Sequence, residues 1–130
     1  MIVNFDYVMD SSAWIEYFGG SEKGNKIKNL IENKKIASSI IAISEIAYKF
    51  DSEKRIFFDF IKFISTNSTI LPLTIDISVN AGTLKTIFRK KTNKFSLIDA
   101  IHLATAQENN SVLLTADKDF LQAKNAEVIS

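Results

Sequence analysis

Four acidic residues sit where a folded chain rarely tolerates a charge. Asp10 closes the apolar run Tyr7-Val8-Met9, and Asp117 closes Val112-Leu113-Leu114-Thr115-Ala116. Glu45 is the only charge between Lys35 and Lys49, among Ile40, Ile41, Ile43, Ile46 and Ala47. Asp99 is the only charge between Lys94 and Glu108, inside Leu97-Ile98-Asp99-Ala100-Ile101. A carboxylate buried without compensation loses much of its solvation energy, so it needs a cation, hydrogen bonds or a proton. Four such positions on one scaffold suggest a shared partner. A hard divalent cation with oxygen ligands, Mg²⁺ or Mn²⁺, meets that requirement.

Each acid also has a plain structural reading. Ser96-Leu97-Ile98-Asp99 fits a capping box with Asp in place of Glu. Asp10 can cap the helix that follows it, and Asp117 a turn ahead of Lys118. Glu45 is hardest to explain this way, because a mid-helix Glu among isoleucines serves neither propensity nor packing.

The elements that must carry these acids follow from the apolar pattern. Tyr7–Met9, Ile36–Ser38, Ile70–Leu71 and Val112–Leu114 read as short buried strands, with a last strand near Val128-Ile129. Helices are expected from Ser11-Ser12 to about Phe18, over 22–33, from Ile40 to about Phe50, over 53–65, over 78–91 and over 97–108. Gly19-Gly20 stop the first, and Pro72 confines the third strand to an edge or exit. Short apolar strands alternating with helices predict an α/β fold, a parallel sheet covered on both faces. Chemistry in such sheets collects at the carboxyl ends of the strands, where Asp10 and Asp117 fall.

The 130 residues suit one domain spanning 1–130. Sixteen Lys and Arg against fifteen Asp and Glu give a formal charge of +1, far from a nucleic-acid-coating or polybasic membrane protein. With no Cys, disulfides, thiolate ligands and a cysteine nucleophile are excluded. No apolar run spans a bilayer, and the first ten residues lack a basic leader region, so a cytoplasmic protein is expected.

Three stretches together resemble the PIN domain, and within it the VapC toxins of type II toxin–antitoxin pairs. They are Met9 to Phe18 (MDSSAWIEYF), Ser44-Glu45-Ile46, and Ser96 to Ala106 followed by Leu114-Thr115-Ala116-Asp117-Lys118-Asp119-Phe120. Their order spans roughly residues 7–121, and it carries the likeness where no single piece does. The resemblance implies a three-layer α/β/α fold around a central parallel sheet of four or five short strands. It also implies a metal-dependent endoribonuclease with Asp10, Glu45, Asp99 and Asp117 as its acidic quartet and Asp119 as an accessory acid. Ser12 and Thr115 match small hydroxyl residues that line such sites. One or two Mg²⁺ or Mn²⁺ ions, held mainly by Asp10, Asp99 and Asp117, would polarise the scissile phosphate and activate water for in-line attack. Glu45 would ligate a second ion or orient the water. Products should then carry 5′-phosphate and 3′-hydroxyl ends.

The implied partners are single-stranded or structured RNA, an antitoxin whose C-terminal segment would occlude the acidic pocket, and a second copy in a homodimer. Two other readings stay open: a non-catalytic PIN-fold module that binds RNA, and a housekeeping nuclease of ribosomal or transfer RNA. A haloacid-dehalogenase-type phosphatase wants Asp-x-Asp after its first strand, whereas this chain has Asp10-Ser11-Ser12. A receiver domain wants a phosphoacceptor Asp after its third, where Ile70-Leu71-Pro72 stands.

Lys85, Arg89, Lys90, Lys91 and Lys94 form the densest basic run, read as a solvated helix end or as a phosphate-guiding ridge that Lys26, Lys28, Lys34 and Lys35 would extend. His102 shares a helix face with Asp99 and is taken as structural. Trp14 and Phe18 read as core. So does the aromatic stretch 56–64, with a partner groove or dimer contact as its second reading. Setting aside Asp10, Glu45, Asp99, Asp117 and Asp119 leaves ten acids against sixteen bases, so the rest of the chain is +6. Near-neutrality therefore permits nucleic acid as a partner.

Overall fold

A computed structural model describes residues 4–130; Met1 to Val3, part of the stretch read above for a leader, lie outside the described residues. Five strands form one parallel sheet in the order β3-β2-β1-β4-β5. They are β1 (Tyr7–Met9), β2 (Ile36–Ser39), β3 (Thr69–Leu71), β4 (Val112–Thr115) and β5 (Ala126–Val128). The helices are α1 (Ser11–Gly19), α2 (Glu22–Asn33), α3 (Ile40–Ser52), α4 (Phe58–Asn67), α5 (Ile75–Phe88) and α6 (Leu97–Glu108).

The period-two alternation of strand side chains divides the core. Val8 and Leu113 face one layer with Ala81, Leu84, Phe88, Leu103 and Phe120. Met9 and Leu114 face the other, with Trp14, Ile27, Ile46, Phe50 and Ile64. Thus α5 and α6 cover one face and α1 to α4 supply the other, giving the expected three layers. Trp14 is fully buried and donates its indole N–H to Ser38 Oγ at 2.9 Å, so its one polar group is satisfied.

Local signals set most boundaries. Gly20, at φ +70°, ends α1 in the left-handed region open to glycine. A Cβ on Gly24 would meet the Glu16 carbonyl oxygen at 2.3 Å, so only glycine lets α2 cross α1 this closely.

Three expected elements are displaced. The helix expected over 53–65 starts late: α3 continues to Ser52, Lys54 turns the chain at φ 57°, and α4 runs from Phe58 to Asn67. The α5 helix starts at Ile75 because Thr74 accepts the Ile77 N–H, and it stops at Phe88 rather than 91. The last strand is Ala126–Val128, slightly earlier than expected. Phe57, Phe60 and Phe63 pack on the Trp14 layer, whereas Ile56 and Phe58 remain exposed. Among the described residues no helix is long and apolar enough to cross a membrane.

Candidate active site

Parallel pairing brings the ends of β1 and β4 side by side, and with them Asp10 and Thr115. Asp10 caps α1, its Oδ1 accepting from the Ala13 N–H at 3.0 Å and from Ser12 Oγ at 2.7 Å. Its Oδ2 accepts from Thr115 Oγ1 at 2.6 Å. The same two hydroxyls receive backbone donors, Ser12 from Ala116 N at 2.9 Å and Thr115 from Asp117 N at 3.0 Å. Each hydroxyl has one proton, and both are committed to the Asp10 carboxylate. Asp10 is only 3% exposed. Burial pushes its pKa above the ordinary carboxylate value, and the His102 charge and the Thr115, Ala13 and Ser12 bonds only partly offset this.

Glu45 reaches the site from the middle of α3. Its Oε1 accepts from Ser11 Oγ at 3.0 Å and lies 2.5 Å from His102 Nε2. Burial alone would raise its pKa, but the hydrogen bond and charge of His102, with the Ser11 hydroxyl, outweigh it and hold the carboxyl low. His102 moves in the complementary sense. Burial disfavours its charged form, yet the bond to Glu45 and the charges of Asp10, Glu45 and Asp99 raise its pKa overall. The imidazole is 1% exposed, and Nδ1 finds no partner among the described residues.

Asp99 completes the expected capping box: Ser96 Oγ accepts from Asp99 N at 3.0 Å while Asp99 Oδ2 accepts from Ser96 N at 2.9 Å. Burial and the nearby Asp117 charge leave its pKa raised despite the Ser96 bonds and His102. Asp117 caps the 3₁₀ turn Lys118–Phe120, its Oδ1 accepting from Asp119 N at 2.8 Å. Asp119 is half-buried beside it.

Glu45, Asp10 and Asp99 thus act electrostatically on one imidazole, and Asp99 feels Asp117 in turn. A single ionisable cation among four carboxylates leaves the site strongly negative. The all-oxygen donors and excess negative charge suit a hard divalent ion. Among the described residues, no three His, Asp or Glu side chains stand already gathered as a ligand set, and Asp10, Asp99 and Asp117 are engaged as caps. The donor chemistry fits such an ion.

The basic residues are placed less uniformly. Lys85 donates to the Phe95 carbonyl, and the Lys91 ammonium lies 5.5 Å over the Phe88 ring. Arg89, Lys90 and Lys94 are exposed in the segment leading from α5 toward Ser96. Lys26 and Lys28 lie on α2, where Lys26 bonds the Ser130 carbonyl at 2.5 Å. Lys34 and Lys35 precede β2 and therefore sit at the amino edge of the sheet, opposite the acids. They do not extend a ridge toward the pocket.

Ser11 and His102 belong to the site although residue reading passed over Ser11 and took His102 as structural. The signal for His102 was its three-residue spacing from Asp99 on a helix otherwise apolar.

A model of the PIN domain family matches residues 7–126. No curated protein matches the chain by sequence. Among solved structures, a toxin–antitoxin complex from Klebsiella pneumoniae aligns with a TM-score of 0.79 at 21% identity, over 96% of this chain and 98% of that one. VapBC2 from Rickettsia felis, bound to a DNA fragment from its promoter, aligns with a TM-score of 0.75 at 19% identity, over 95% and 98%. The sarcin-ricin loop cleaving toxin VapC20 of Mycobacterium tuberculosis aligns with a TM-score of 0.74 at 19% identity, over 96% and 100%.

Proposed function

The chain belongs to the PIN domain family, and from that premise we propose that it is a metal-dependent endoribonuclease serving as the toxin of a VapBC-type pair. The observation that carries this reading is the placement of Asp10 and Asp117 just past the ends of β1 and β4, with the Glu45–His102 contact joining α3 to α6 beside them. Hydrogen bonds and one imidazole offset only part of the cost of gathering these acids, and a site that binds a divalent cation accounts for the remainder. The likeness to toxin–antitoxin complexes supports an antitoxin as partner and the +6 remainder of the chain supports RNA as substrate.

Asp10, Asp99 and Asp117 would hold Mg²⁺ or Mn²⁺, with Asp119 in reserve beside them. When bound, such an ion supplies Lewis acidity toward a phosphodiester and toward water. Ser12 and Thr115 keep the Asp10 carboxylate in one orientation, and His102 with Ser11 does the same for Glu45. Glu45, 37% exposed and held low by His102, would ligate a second ion or orient the water. A homodimer accords with this reading, and exposed Ile75, Val79 and Ile87 on α5 offer an apolar stripe for it.

One observation favours a second reading. Three of the four acids already serve as helix or turn caps, which suits a PIN-fold module that binds RNA without cutting it. Incubating the purified chain with single-stranded and structured RNA in Mg²⁺, Mn²⁺ or EDTA decides between them. Cleavage in either metal that EDTA stops supports the nuclease; binding without cleavage in all conditions supports the module.

A further inference from the structure

Beyond Asp117 the carboxyl edge of the sheet opens into a cavity of about 410 Å³. Lys23, Lys118, Leu121, Val128, Ile129 and Ser130 line it. The cavity adjoins the acidic site through the backbone: Ile129 N donates to the Thr115 carbonyl at 2.8 Å, and Thr115 is the residue whose hydroxyl binds Asp10. β4 separates this wall from Asp10, so the two lie two strand spacings apart, on the order of 10 Å across the sheet.

Its two cations serve no structural purpose that the fold reveals. Lys118 is the only Lys or Arg between Lys94 and Lys124, and it stands between Asp117 and Asp119. Even so, it forms no ion pair among the described residues. Lys23 lies in the first turn of α2, where the helix dipole disfavours a cation, and it too is unpaired among those residues. Between them the floor is apolar, with Leu121 68% exposed beside Val128 and Ile129.

We propose that this cavity is a nucleotide subsite for the RNA strand flanking the cleavage site, with Lys118 and Lys23 on a backbone phosphate and the base packed on Leu121, Val128 and Ile129. The inference rests on the nuclease reading and adds where the substrate lies. Charge complementarity selects the occupant: a polyanion entering an acidic pocket is repelled there and needs free cations directly alongside. Two unpaired ammoniums at the rim of an apolar floor match a nucleotide, which carries its charge at one end and a flat apolar face at the other.

The full chain carrying Asp10→Asn, which can bind without cutting, is titrated with a short fluorescent single-stranded oligoribonucleotide at several salt concentrations. Adding Lys118→Met or Lys23→Met should weaken binding roughly three- to tenfold each and lower the slope of log affinity against log salt by about 0.7 per residue. Lys62→Met, on exposed α4, should change neither. In the otherwise native chain, the cavity variants should raise KM for RNA and spare kcat. Unchanged affinity and KM in both lysine variants overturn the subsite, whether or not the chain cleaves RNA, and would leave the cavity to a protein partner. Weakened binding with no cleavage in any metal sustains the subsite and removes the nuclease reading. Absence of RNA binding by the Asp10→Asn chain overturns both.

Discussion

His102 Nε2 stands 2.5 Å from Glu45 Oε1, a contact that spans 57 residues of sequence and ties α6 to α3 over the ends of the central strands. The two shifts are reciprocal: the imidazole holds the Glu45 carboxyl low while the carboxylate raises the imidazole. His102 thus offers the acid cluster a positive charge from within the fold. It links Glu45, Asp10 and Asp99 before any ion is added.

Replacing His102 by Gln should show what that link is worth. A hydrogen bond to a charged group contributes about 1.5–3 kcal/mol, and partial exposure of Glu45 reduces this, so a loss of about 1–2 kcal/mol is expected. Urea unfolding of the metal-free protein measures it. Stability equal to the parent would mean that the contact contributes nothing.

Stability of the metal-free protein should fall as pH rises. The folded pKa of His102 lies above its unfolded value of 6.5, so its contribution is complete below that pH and disappears as pH climbs through the folded value. Asp10 and Asp99, also raised from 3.8, act in the same direction at lower pH, since the fold disfavours their ionised forms. Glu45 opposes them, gaining stability as pH rises toward its ordinary 4.5. Melting curves in EDTA from about pH 6 to pH 9 should therefore show a declining Tm. Mg²⁺ should restore more of it at the upper end, because a bound cation neutralises the same charges. A Tm that rises with pH in EDTA would contradict the charge assignment.

Thr115→Val should be costly beyond its volume. It removes the buried donor to Asp10 Oδ2 and the partly buried acceptor for the Asp117 N–H. Leaving such groups unpaired costs about 1–3 kcal/mol. Asp10→Asn should behave oppositely, since a neutral amide avoids the burial of charge while its oxygen can still cap α1 at the Ala13 N–H. Denaturant midpoints for the two variants should move in opposite directions; a common direction would refute this account of the Asp10 cradle.

Much of this was legible in the residues because the strands are short and fully apolar and the caps are strong. Ser96 and Asp99 marked the start of α6 to the residue, and Gly19-Gly20 marked the end of α1. A break between α3 and α4 was legible, but not the late start of α4 at Phe58. Glu53, Lys54 and Arg55 look as helical as their neighbours, yet a turn with Lys54 in the left-handed region and an irregular stretch to residue 57 separate the two helices. The acids could be named from their apolar settings, and the bland reading of three of them as caps is also correct. What the residues could not reveal is that Glu45 and His102 meet, because their pairing depends on how α3 crosses α6. For the same reason the cavity at Lys118 was invisible: β5 brings Ile129 to Thr115 through the fold, not through local sequence.

The central claim is that these acids cut RNA with a divalent ion. Its most direct test is cleavage of a defined RNA by the purified chain in Mg²⁺ or Mn²⁺, beside Asp99→Asn, with the product ends identified. The account predicts EDTA-sensitive cleavage that leaves 5′-phosphate and 3′-hydroxyl ends and is lost in a folded Asp99→Asn protein. Cyclic-phosphate ends, or undiminished cleavage in Asp99→Asn and in excess EDTA, would contradict it.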